Sequence, residues 1–533
     1  MGIGEIPVHS SLEIDVKTDV CVIGAGIAGL TTAYLLVREG KSVVVLDDGT
    51  IGGGQTERTT AHITNAIDDR YRNIEFWHGR DGARLAAASH SAAINRIAAI
   101  VDSENIACDF ERVDGYLFCP PGESNLLLHE ELDAARRAGL SQVELVARCP
   151  LSTFETGAAL RFPSQAQFHP QKYLAGLTAA ILRSGGRVFT QTHVDEITSG
   201  PPARIRTRRG PTVTAESVVV AANTPFNDFV TIHTKQAAYL TYVLAFGVPR
   251  GSVTKALYWD TMNPYHYVRL VSLPGEGTGE ERLGLSTEDI LIVGGEDHKT
   301  GQADDAEARY DRLEAWTRER FLVNGGRRSQ WSGQVMETVD GLAFIGQNPL
   351  DGPNVYIATG DSGQGMTHGT IAGILLTDLI VGRKNPWTSL YNPSRKTLRT
   401  AGRYLEENVN VARQYGTWTT GGDVASTQEI APGTGAVVRS GLTKVAAWRD
   451  ECGGLHECSA VCPHLGCLVE WNHNESTWDC PCHGSRFDKQ GHVLCGPANS
   501  DLAQLTSDTS SGEACEVTGM ESRSELGVKS RPA

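Results

Sequence analysis

Two short cysteine–histidine motifs near the end of the 533-residue chain constrain its fold more than any other feature. The first motif contains Cys462 and His464, and after fifteen intervening residues the second contains Cys480 and His483. Two thiolates and two imidazoles are a ligand set for tetrahedral Zn²⁺. They are also the ligand set of a [2Fe–2S] cluster in which the thiolates hold one iron and the imidazoles hold the other. The motifs therefore predict a metal centre between two loops.

The residues around these motifs favour the iron–sulfur cluster. Each loop carries a second cysteine, Cys467 or Cys482, and the second loop reads Pro-Cys-His-Gly-Ser. A zinc site needs neither the extra cysteine pair nor this context. The motifs resemble those of Rieske proteins of the respiratory and photosynthetic cytochrome complexes. That resemblance implies a [2Fe–2S] cluster with four protein ligands: Cys462, His464, Cys480 and His483. It also implies a disulfide between Cys467 and Cys482 that joins the two loops.

The same resemblance bears on the reduction potential of the cluster. Ser485 corresponds to a serine that, in that family, donates a hydrogen bond to a cluster sulfur and stabilises the reduced state. Where high-potential relatives carry a tyrosine two residues later, this chain has Phe487, which has no hydroxyl group. We therefore predict an intermediate potential, below that of the highest-potential respiratory centres.

A dinucleotide-binding pattern stands at the other end of the chain. A short apolar strand at residues 19–23 runs into a glycine-rich turn with Gly24, Gly26 and Gly29, and a helical pattern follows. Such glycines allow a tight turn, bring backbone N–H groups close to a pyrophosphate and let the helix pack on the strand. Asp47 ends the second strand, where a carboxylate can accept hydrogen bonds from a ribose. An acid at this place favours FAD or NAD over NADP.

Later segments favour FAD. Residues 52–63 begin with three glycines, and residues 354–367 again combine a strand with a glycine-rich turn before an apolar helix. In the order of these segments the chain resembles, over about residues 17–385, the D-amino-acid-oxidase-like family of FAD enzymes, which includes glycine and sarcosine oxidases. The sequence contains no second G-x-G-x-x-G for a nicotinamide dinucleotide. Electrons are therefore expected to enter from an organic substrate.

The resemblance implies which residues contact FAD. The first turn would hold the pyrophosphate and Asp47 the ribose, residues 54–63 would pass the flavin ring, and the late turn would close over the pyrimidine edge of the ring. The implied contacts outside the first turn and Asp47 are Arg58, Thr59, Ala61, His62, Val194, Gly360, Gly363, Gly365, Met366 and Thr367. His62 has two interpretations: covalent attachment to the flavin, as in several relatives, or packing and hydrogen bonding at the ring.

A predicted strand at residues 265–271 supplies candidates for the substrate side. Alternation along a strand places Tyr265, Tyr267 and Arg269 on one face. In the resembling family such a sheet covers the flavin, and tyrosine or arginine groups bind the substrate carboxylate. A solvated strand edge is the alternative. The candidate catalytic residues are Tyr267, Arg269 and His298, and the implied reaction is oxidation of a C–N bond in an amine or amino acid.

These patterns predict a modular α/β protein. An FAD-binding Rossmann-like domain with an inserted mixed α+β substrate domain is expected at residues 17–385, followed by a proline- and glycine-containing connector at 386–423. A small all-β Rieske domain is expected at residues 424–508. The last segment, 509–533, is rich in Ser, Thr, Glu and Gly without periodic hydrophobicity, so we expect it to be disordered.

Charge and composition argue against other classes of protein. The net charge of −15 disfavours a nucleic-acid partner, and the sequence has no run of 18 apolar residues that would suggest a membrane span. Eight of the twelve cysteines lie in the last 82 residues, which indicates metal or redox chemistry more than a disulfide framework. The acidic first 20 residues do not resemble a secretory signal, so a cytoplasmic protein is expected.

The leading hypothesis is an FAD-dependent amine or amino-acid dehydrogenase that passes electrons through the cluster to a quinone or a carrier protein. One alternative is an oxidase that uses oxygen directly and keeps the cluster for a structural or regulatory role. Another is a non-catalytic electron-transfer or redox-sensing protein. A Rieske oxygenase is disfavoured because the sequence lacks a D-x-x-H-x-x-x-x-H pattern for a mononuclear iron.

Overall fold

A computed structural model describes residues 8–228, 230–273 and 287–505 of the chain. The segment 509–533, for which disorder is expected, lies outside these residues. The described residues form two large sheets with flanking helices, followed by two small antiparallel sheets.

The first large sheet has eight strands within the described residues and is mainly parallel. Its central strands are buried on both faces, because helices cover one face and residues such as Leu12, Val194 and Ile205 pack on the other. This burial explains their Val- and Ile-rich sequences. The strands are β1 (Val16–Ile23), β2 (Val43–Leu46), β7 (Arg187–Phe189), β8 (Val194–Thr198), β9 (Ala203–Thr207), β10 (Thr212–Val220), β16 (Phe344–Gln347) and β17 (Val355–Thr359). The order along the sheet is β16-β17-β10-β1-β2-β7, and the β8–β9 hairpin extends β10.

The helices on this sheet bring the two glycine-rich turns together. Helix α1 (Ile27–Arg38) begins within the first turn, and α7 (Gly365–Ile380) begins within the second. The two helices approach so closely that a Cβ atom on Gly373 would lie 2.5 Å from Cγ2 of Thr31, so only glycine fits there. The helices around this sheet are α1 (Ile27–Arg38), α2 (Gln55–Arg58), α3 (Tyr71–Glu104), α5 (Pro170–Arg183) and α7 (Gly365–Ile380).

The second large sheet has nine described strands in the order β15-β11-β14-β13-β12-β4-β6-β3, with β5 beside β6. It faces the carboxyl ends of the parallel strands, and α4 (Leu126–Arg137) and α6 (Ala306–Arg320) pack around it. The strands are β3 (His62–Ile63), β4 (Glu111–Phe118), β5 (Glu144–Val146), β6 (Ala159–Gln167), β11 (Gln236–Pro249), β12 (Leu257–Asp260), β13 (His266–Ser272), β14 (Glu288–Lys299) and β15 (Asn324–Thr338).

The C-terminal region is built from short strands around a core that includes Trp478 and Phe487, both fully buried. Between the large sheets and this region, residues 386–423 form α8 (Thr388–Tyr391), α9 (Ala401–Gln414) and short 3₁₀ turns. The strands are β18 (Gly435–Ser440), β19 (Thr443–Arg449), β20 (Leu455–Ser459), β21 (Glu470–Asn472), β22 (Thr477–Asp479), β23 (Arg486–Asp488) and β24 (Val493–Cys495). Among the described helices, none combines the length and the apolar character that a bilayer crossing requires.

Candidate cofactor sites

The two cysteine–histidine loops meet at the edge of the C-terminal region. The first loop follows β20, and the second follows β22. A disulfide between Cys467 and Cys482 joins them, with the two Cα atoms 6.4 Å apart. The imidazole rings of His464 and His483 lie with their centroids 5.0 Å apart and nearly perpendicular. The four predicted ligands are therefore gathered in one place, and all of them are buried: Cys462, His464, Cys480 and His483.

The surroundings of the two thiols fit an iron–sulfur cluster. Hydrogen bonds from Cys480, from the backbone of His464 and from the Ser485 hydroxyl lower the pKa of Cys462. Backbone N–H groups of Cys482 and His483 also point to the Cys480 sulfur. Such donors stabilise anionic sulfur, which is what thiolate ligands and cluster sulfides present. The loops thus bring together two cysteine sulfurs, two imidazoles and hydrogen-bond donors around the sulfurs.

A second grouping of sulfur atoms does not make a separate metal site. The sulfur atoms of Cys467, Cys480 and Cys482 all lie within 4.8 Å of one another. Two of them are joined in the disulfide, so this group has only one thiolate to offer. The ligand set predicted from the sequence is a different one, and its two cysteines, Cys462 and Cys480, are outside the disulfide.

A cavity of about 1330 Å³ lies between the two large sheets and reaches the first glycine-rich turn. Gly24 has a φ of 106°, and a Cβ atom there would lie 2.4 Å from the carbonyl oxygen of Ala221. A Cβ atom on Gly29 would lie 1.9 Å from the carbonyl oxygen of Gly24. Side chains are excluded at both positions, so the turn packs tightly. The start of α1, at Gly26 and Ile27, lies in the cavity wall. Such a helix start is suited to a pyrophosphate.

Asp47 lies in the cavity wall at the end of β2. Its carboxylate accepts hydrogen bonds from the N–H of Ala25 at 2.6 Å and from the N–H of Gly49 at 2.8 Å. Burial, together with the nearby Asp48, raises the pKa of Asp47 to about 7. The side chain thus fixes the glycine-rich turn and still faces the space where the resemblance places a ribose.

Most of the other residues with implied FAD contacts line the same cavity. The residues in its wall are Gly24, Gly26, Asp47, Arg58, Thr59, Ala61, His62, Val194, Gly360, Gly363, Gly365 and Met366. Gly29 and Thr367 lie behind the wall: Gly29 packs against Gly24, and the Thr367 hydroxyl bonds with Nδ1 of His90 at 2.9 Å. These two residues support the turns without facing the cavity.

His62 is half-buried and packs against the aromatic side chains of Trp259 and Tyr267. Its Nδ1 lies 3.0 Å from the hydroxyl of Thr60, and its Nε2 makes no hydrogen bond with the residues that the structure describes. Burial, assisted by the charge of Arg269, lowers the pKa of His62 to about 3, so the ring is neutral. A neutral ring with one ring nitrogen available suits either interpretation, attachment to a flavin or a hydrogen bond with it.

The predicted strand face is present, but its arginine is engaged. Tyr265, Tyr267 and Arg269 all line the cavity, and the hydroxyl of Tyr267 bonds with that of Thr241 at 2.9 Å. The terminal nitrogens of Arg269 donate to the backbone carbonyls of Ala61 and Phe168. Arg269 therefore holds the His62 segment in place and does not present a two-pronged site for a carboxylate.

His298 is the predicted site residue that the structure places away from the others. It lies within β14, where its ring stacks on Tyr242 with the centroids 5.7 Å apart. It is absent from the described cavity wall.

Four half-buried carboxyl groups form a cluster that the sequence reasoning missed. Asp68 and Asp361 line the cavity, and the charges of Asp297 and Glu337 interact with them around Tyr265. Burial raises the pKa of Asp68 to about 7 and those of Asp297 and Asp361 to about 6, and it raises that of Glu337 well above its ordinary value. Because the four residues come from four distant segments, only Asp361, within the late glycine-rich turn, carried a local signal.

A network of buried ions joins the C-terminal region to the cavity. Glu475 pairs with Arg58 at 3.2 Å and with Arg486 at 2.9 Å, and the hydroxyl of Ser332 also donates to it. Arg486 pairs in turn with Asp479 at 2.9 Å. Burial opposes ionisation of Glu475, but the two arginines outweigh it and lower its pKa to about 2.

The second metal-binding loop and the cavity share a wall. Gln334 lines the cavity, and its side-chain amide donates to the carbonyl oxygen of Gly484 at 2.8 Å. Gly484 directly follows His483 in the chain. A Cβ atom on Gly484 would lie 2.2 Å from Cβ of Ala238, so the loop presses directly on β11. C-terminal residues that line the cavity are Glu475, Thr477, Arg486, Val493, Leu494, Cys495, Gly496, Ala498 and Asn499.

Comparisons with known proteins match both parts of the chain to known families. The family model for FAD dependent oxidoreductases (DAO) matches residues 19–379, and that for the Rieske [2Fe-2S] domain matches residues 421–506. The chain is 31% identical over 506 residues to the putative Rieske 2Fe-2S iron-sulfur protein YhfW of Bacillus subtilis (strain 168), covering 95% of this chain and 96% of that protein. It is 28% identical over 411 residues to the gamma-glutamylputrescine oxidoreductase of Escherichia coli (strain K12), covering 73% and 91%.

The fold of the larger part also matches a solved structure. Glycine oxidase from Geobacillus kaustophilus superimposes with a TM-score of 0.57 at 16% identity. The match covers 72% of this chain and 99% of that one. At this level of identity the likeness is one of fold.

Proposed function

The chain belongs to the DAO family of FAD-dependent oxidoreductases and carries a C-terminal Rieske [2Fe–2S] domain, and from this premise we propose that it is an amine dehydrogenase. In this proposal a C–N bond of an amine or amino acid is oxidised in the cavity, and the electrons leave through the cluster to a one-electron acceptor. FAD would supply two-electron chemistry and the cluster single-electron transfer.

The shared wall between the cavity and the metal-binding loop is the observation that carries this proposal. Gln334 faces the cavity and binds Gly484, the neighbour of the proposed ligand His483. Electron transfer weakens steeply with the distance between two centres, so cofactors on either side of one side chain are suitably placed for direct exchange. A cluster with a purely structural role would not need this placement.

The residues of the chain have separate tasks in this reaction. The first glycine-rich turn and the start of α1 would bind the pyrophosphate, and Asp47 would bind the ribose. Arg269 holds the backbone of the His62 segment in place. The rings and hydroxyl groups of Tyr265 and Tyr267 form part of the cavity wall. The C-terminal residues form a further part of the cavity wall.

The carboxyl cluster supports an amine as the substrate class. Asp68 and Asp361 line the cavity, and Asp68 lies near Tyr265. Arg269, on the same strand face as Tyr265 and Tyr267, is engaged with backbone carbonyls. Buried carboxylates attract a cation and repel another carboxylate. The relative from E. coli is named for gamma-glutamylputrescine, and an amine with a second polar end is our proposal for this chain as well.

The affinity for a cationic ligand is expected to rise with pH. The pKa values of Asp68 (about 7), Asp297 (about 6) and Asp361 (about 6) are raised, so these groups are mostly protonated at pH 5.5 and mostly anionic at pH 7.5. A quaternary ammonium analogue does not titrate itself, so we expect it to bind roughly tenfold more tightly at pH 7.5 than at pH 5.5. Perturbation of the flavin spectrum measures this binding.

Asp361→Asn should weaken binding of the analogue and reduce the pH dependence of that binding. Asp81→Asn, at an exposed position, should change neither the affinity nor its pH dependence. If the unmodified protein bound the analogue with the same affinity at both pH values, the role assigned to the carboxyl groups would be contradicted.

Anaerobic addition of amines and amino acids tests the proposed function. A substrate should bleach the flavin absorbance without oxygen, and turnover should then require an added one-electron acceptor. Stoichiometric release of hydrogen peroxide in air, with no dependence on the cluster, would instead favour the direct oxidase. A flavin that no amine or amino acid reduces would favour the non-catalytic alternative.

A further inference from the structure

One histidine from the FAD-binding part of the chain lies against the proposed cluster ligands. His233 is 2% exposed and stands in a short 3₁₀ turn just before β11. The centroid of its ring is 4.8 Å from that of His464, with the two planes nearly perpendicular, and 6.0 Å from that of His483. The FAD-binding part therefore covers the imidazole edge of the metal-binding loops.

The hydrogen bonds of His233 determine which of its nitrogens carries the proton. Its Nε2 lies 2.6 Å from the carbonyl oxygen of Asp228 and 3.1 Å from that of Pro225. Carbonyl oxygens only accept hydrogen bonds, so Nε2 carries the hydrogen, and in a neutral ring Nδ1 is then an acceptor. Nδ1 is buried and has no hydrogen-bond partner among the residues that the structure describes. A buried acceptor of this kind costs free energy unless a donor reaches it.

A metal-bound imidazole supplies a donor of the right kind. A histidine that binds a metal through one ring nitrogen keeps an N–H on the other, and this N–H is commonly bonded to an acceptor that orients the ring. We propose that Nδ1 of His233 accepts a hydrogen bond from the N–H of His464 when the cluster is bound. This inference rests on the ligand set of the proposed function.

The proposed hydrogen bond has a consequence for the potential of the cluster. An acceptor on the outer N–H makes the imidazole a more basic ligand, which stabilises the oxidised cluster. His233 is thus a positioning residue that lowers the reduction potential, and it belongs to the part of the chain that holds FAD. It also occupies the imidazole edge, so an external acceptor would have to approach the cluster from another side.

Replacement of His233 by phenylalanine tests the inference in the full-length protein with both cofactors, reduced by dithionite without any amine. His233→Phe keeps a planar ring and removes the acceptor. We expect wild-type contents of iron, sulfide and FAD, a higher midpoint potential, and shifted g-values in the electron paramagnetic resonance (EPR) spectrum. The matched control is His456→Phe. His456 lies in the C-terminal region with the two cysteine–histidine loops, and its ring stacks on Trp448. This variant should change neither the midpoint potential nor the g-values. An unchanged potential and spectrum in His233→Phe would overturn the inference.

A measurement on the unmodified protein decides the matter if the variant does not fold. After transfer to D₂O, electron–nuclear double resonance on the reduced cluster should show a ligand N–H proton that exchanges slowly, because His233 shields it. Complete exchange within the mixing time would overturn the inference even if the cluster is present. If the unmodified protein showed no Rieske-type spectrum, both the inference and the ligand set would be refuted. That result differs visibly from fast proton exchange in a protein that does show the spectrum.

Discussion

Replacing Cys462 by serine is expected to remove the [2Fe–2S] cluster completely and leave FAD in place. The substitution deletes one of the two thiolates that would hold an iron, and a serine hydroxyl is a poor substitute for a soft thiolate. The disulfide between Cys467 and Cys482 still joins the loops, and the buried core around Trp478 is unchanged, so the C-terminal region should keep its fold. Iron and sulfide analysis, EPR and FAD content measure the outcome.

The functional consequence of the same substitution separates the two halves of the proposed reaction. In Cys462→Ser an amine substrate should still bleach the flavin, but reduction of a one-electron acceptor should fall to the background rate. Cys452→Ser is the matched control, because Cys452 lies in the same region, is exposed and is outside the ligand set. Retention of a normal Rieske spectrum in Cys462→Ser would show that the ligand set is wrong.

Replacing Glu475 by alanine is expected to destabilise the protein by about 3–5 kcal/mol, the usual cost of removing one partner from a buried ion network. The carboxylate is shared by Arg58 and Arg486, and its side chain is only 7% exposed. Because Glu475 and Arg486 also line the cavity, FAD should dissociate more readily from the variant. Chemical denaturation followed by protein and flavin fluorescence measures both effects.

A surface pair provides the control for this prediction. Glu196 pairs with Arg206 at 3.0 Å, but both side chains are more than half exposed, so Glu196→Ala should cost about 0–1 kcal/mol. The pKa of Glu475 is lowered to about 2, so its contribution to stability should be complete above its unfolded pKa and lost as the pH falls toward 2. Equal stability losses in the two variants would contradict the role given to the network.

The features that could be predicted from the sequence are those whose residues lie close together in the chain. The two cysteine–histidine motifs and the first glycine-rich turn are each defined within about thirty residues. The family resemblance carried by those motifs implied the disulfide between Cys467 and Cys482, which the structure shows. The predicted fold class and both cofactors are confirmed by the family matches. Strand alternation also correctly placed Tyr267 and Arg269 on the cavity side, since period-2 geometry is local.

The features that could not be predicted depend on how distant segments meet. Arg58 and Glu475 are separated by more than four hundred residues, and their pairing follows only from the docking of the C-terminal region on the large sheets. The same holds for the contact of Gln334 with Gly484 and for the ring of His233 beside His464. Alternation placed Arg269 on the correct face but carried no information on the backbone carbonyls of Ala61 and Phe168 that occupy its side chain.

The central claim is that electrons taken from an amine in the cavity pass to the cluster across the wall that Gln334 and Gly484 form. Anaerobic rapid-freeze EPR, with an amine that bleaches the flavin, measures this directly. We predict that the spectrum of the reduced Rieske cluster grows in as the flavin is reduced, in the same molecules and without any mediator. A flavin that is fully reduced by the amine while the cluster stays oxidised would contradict the proposed route.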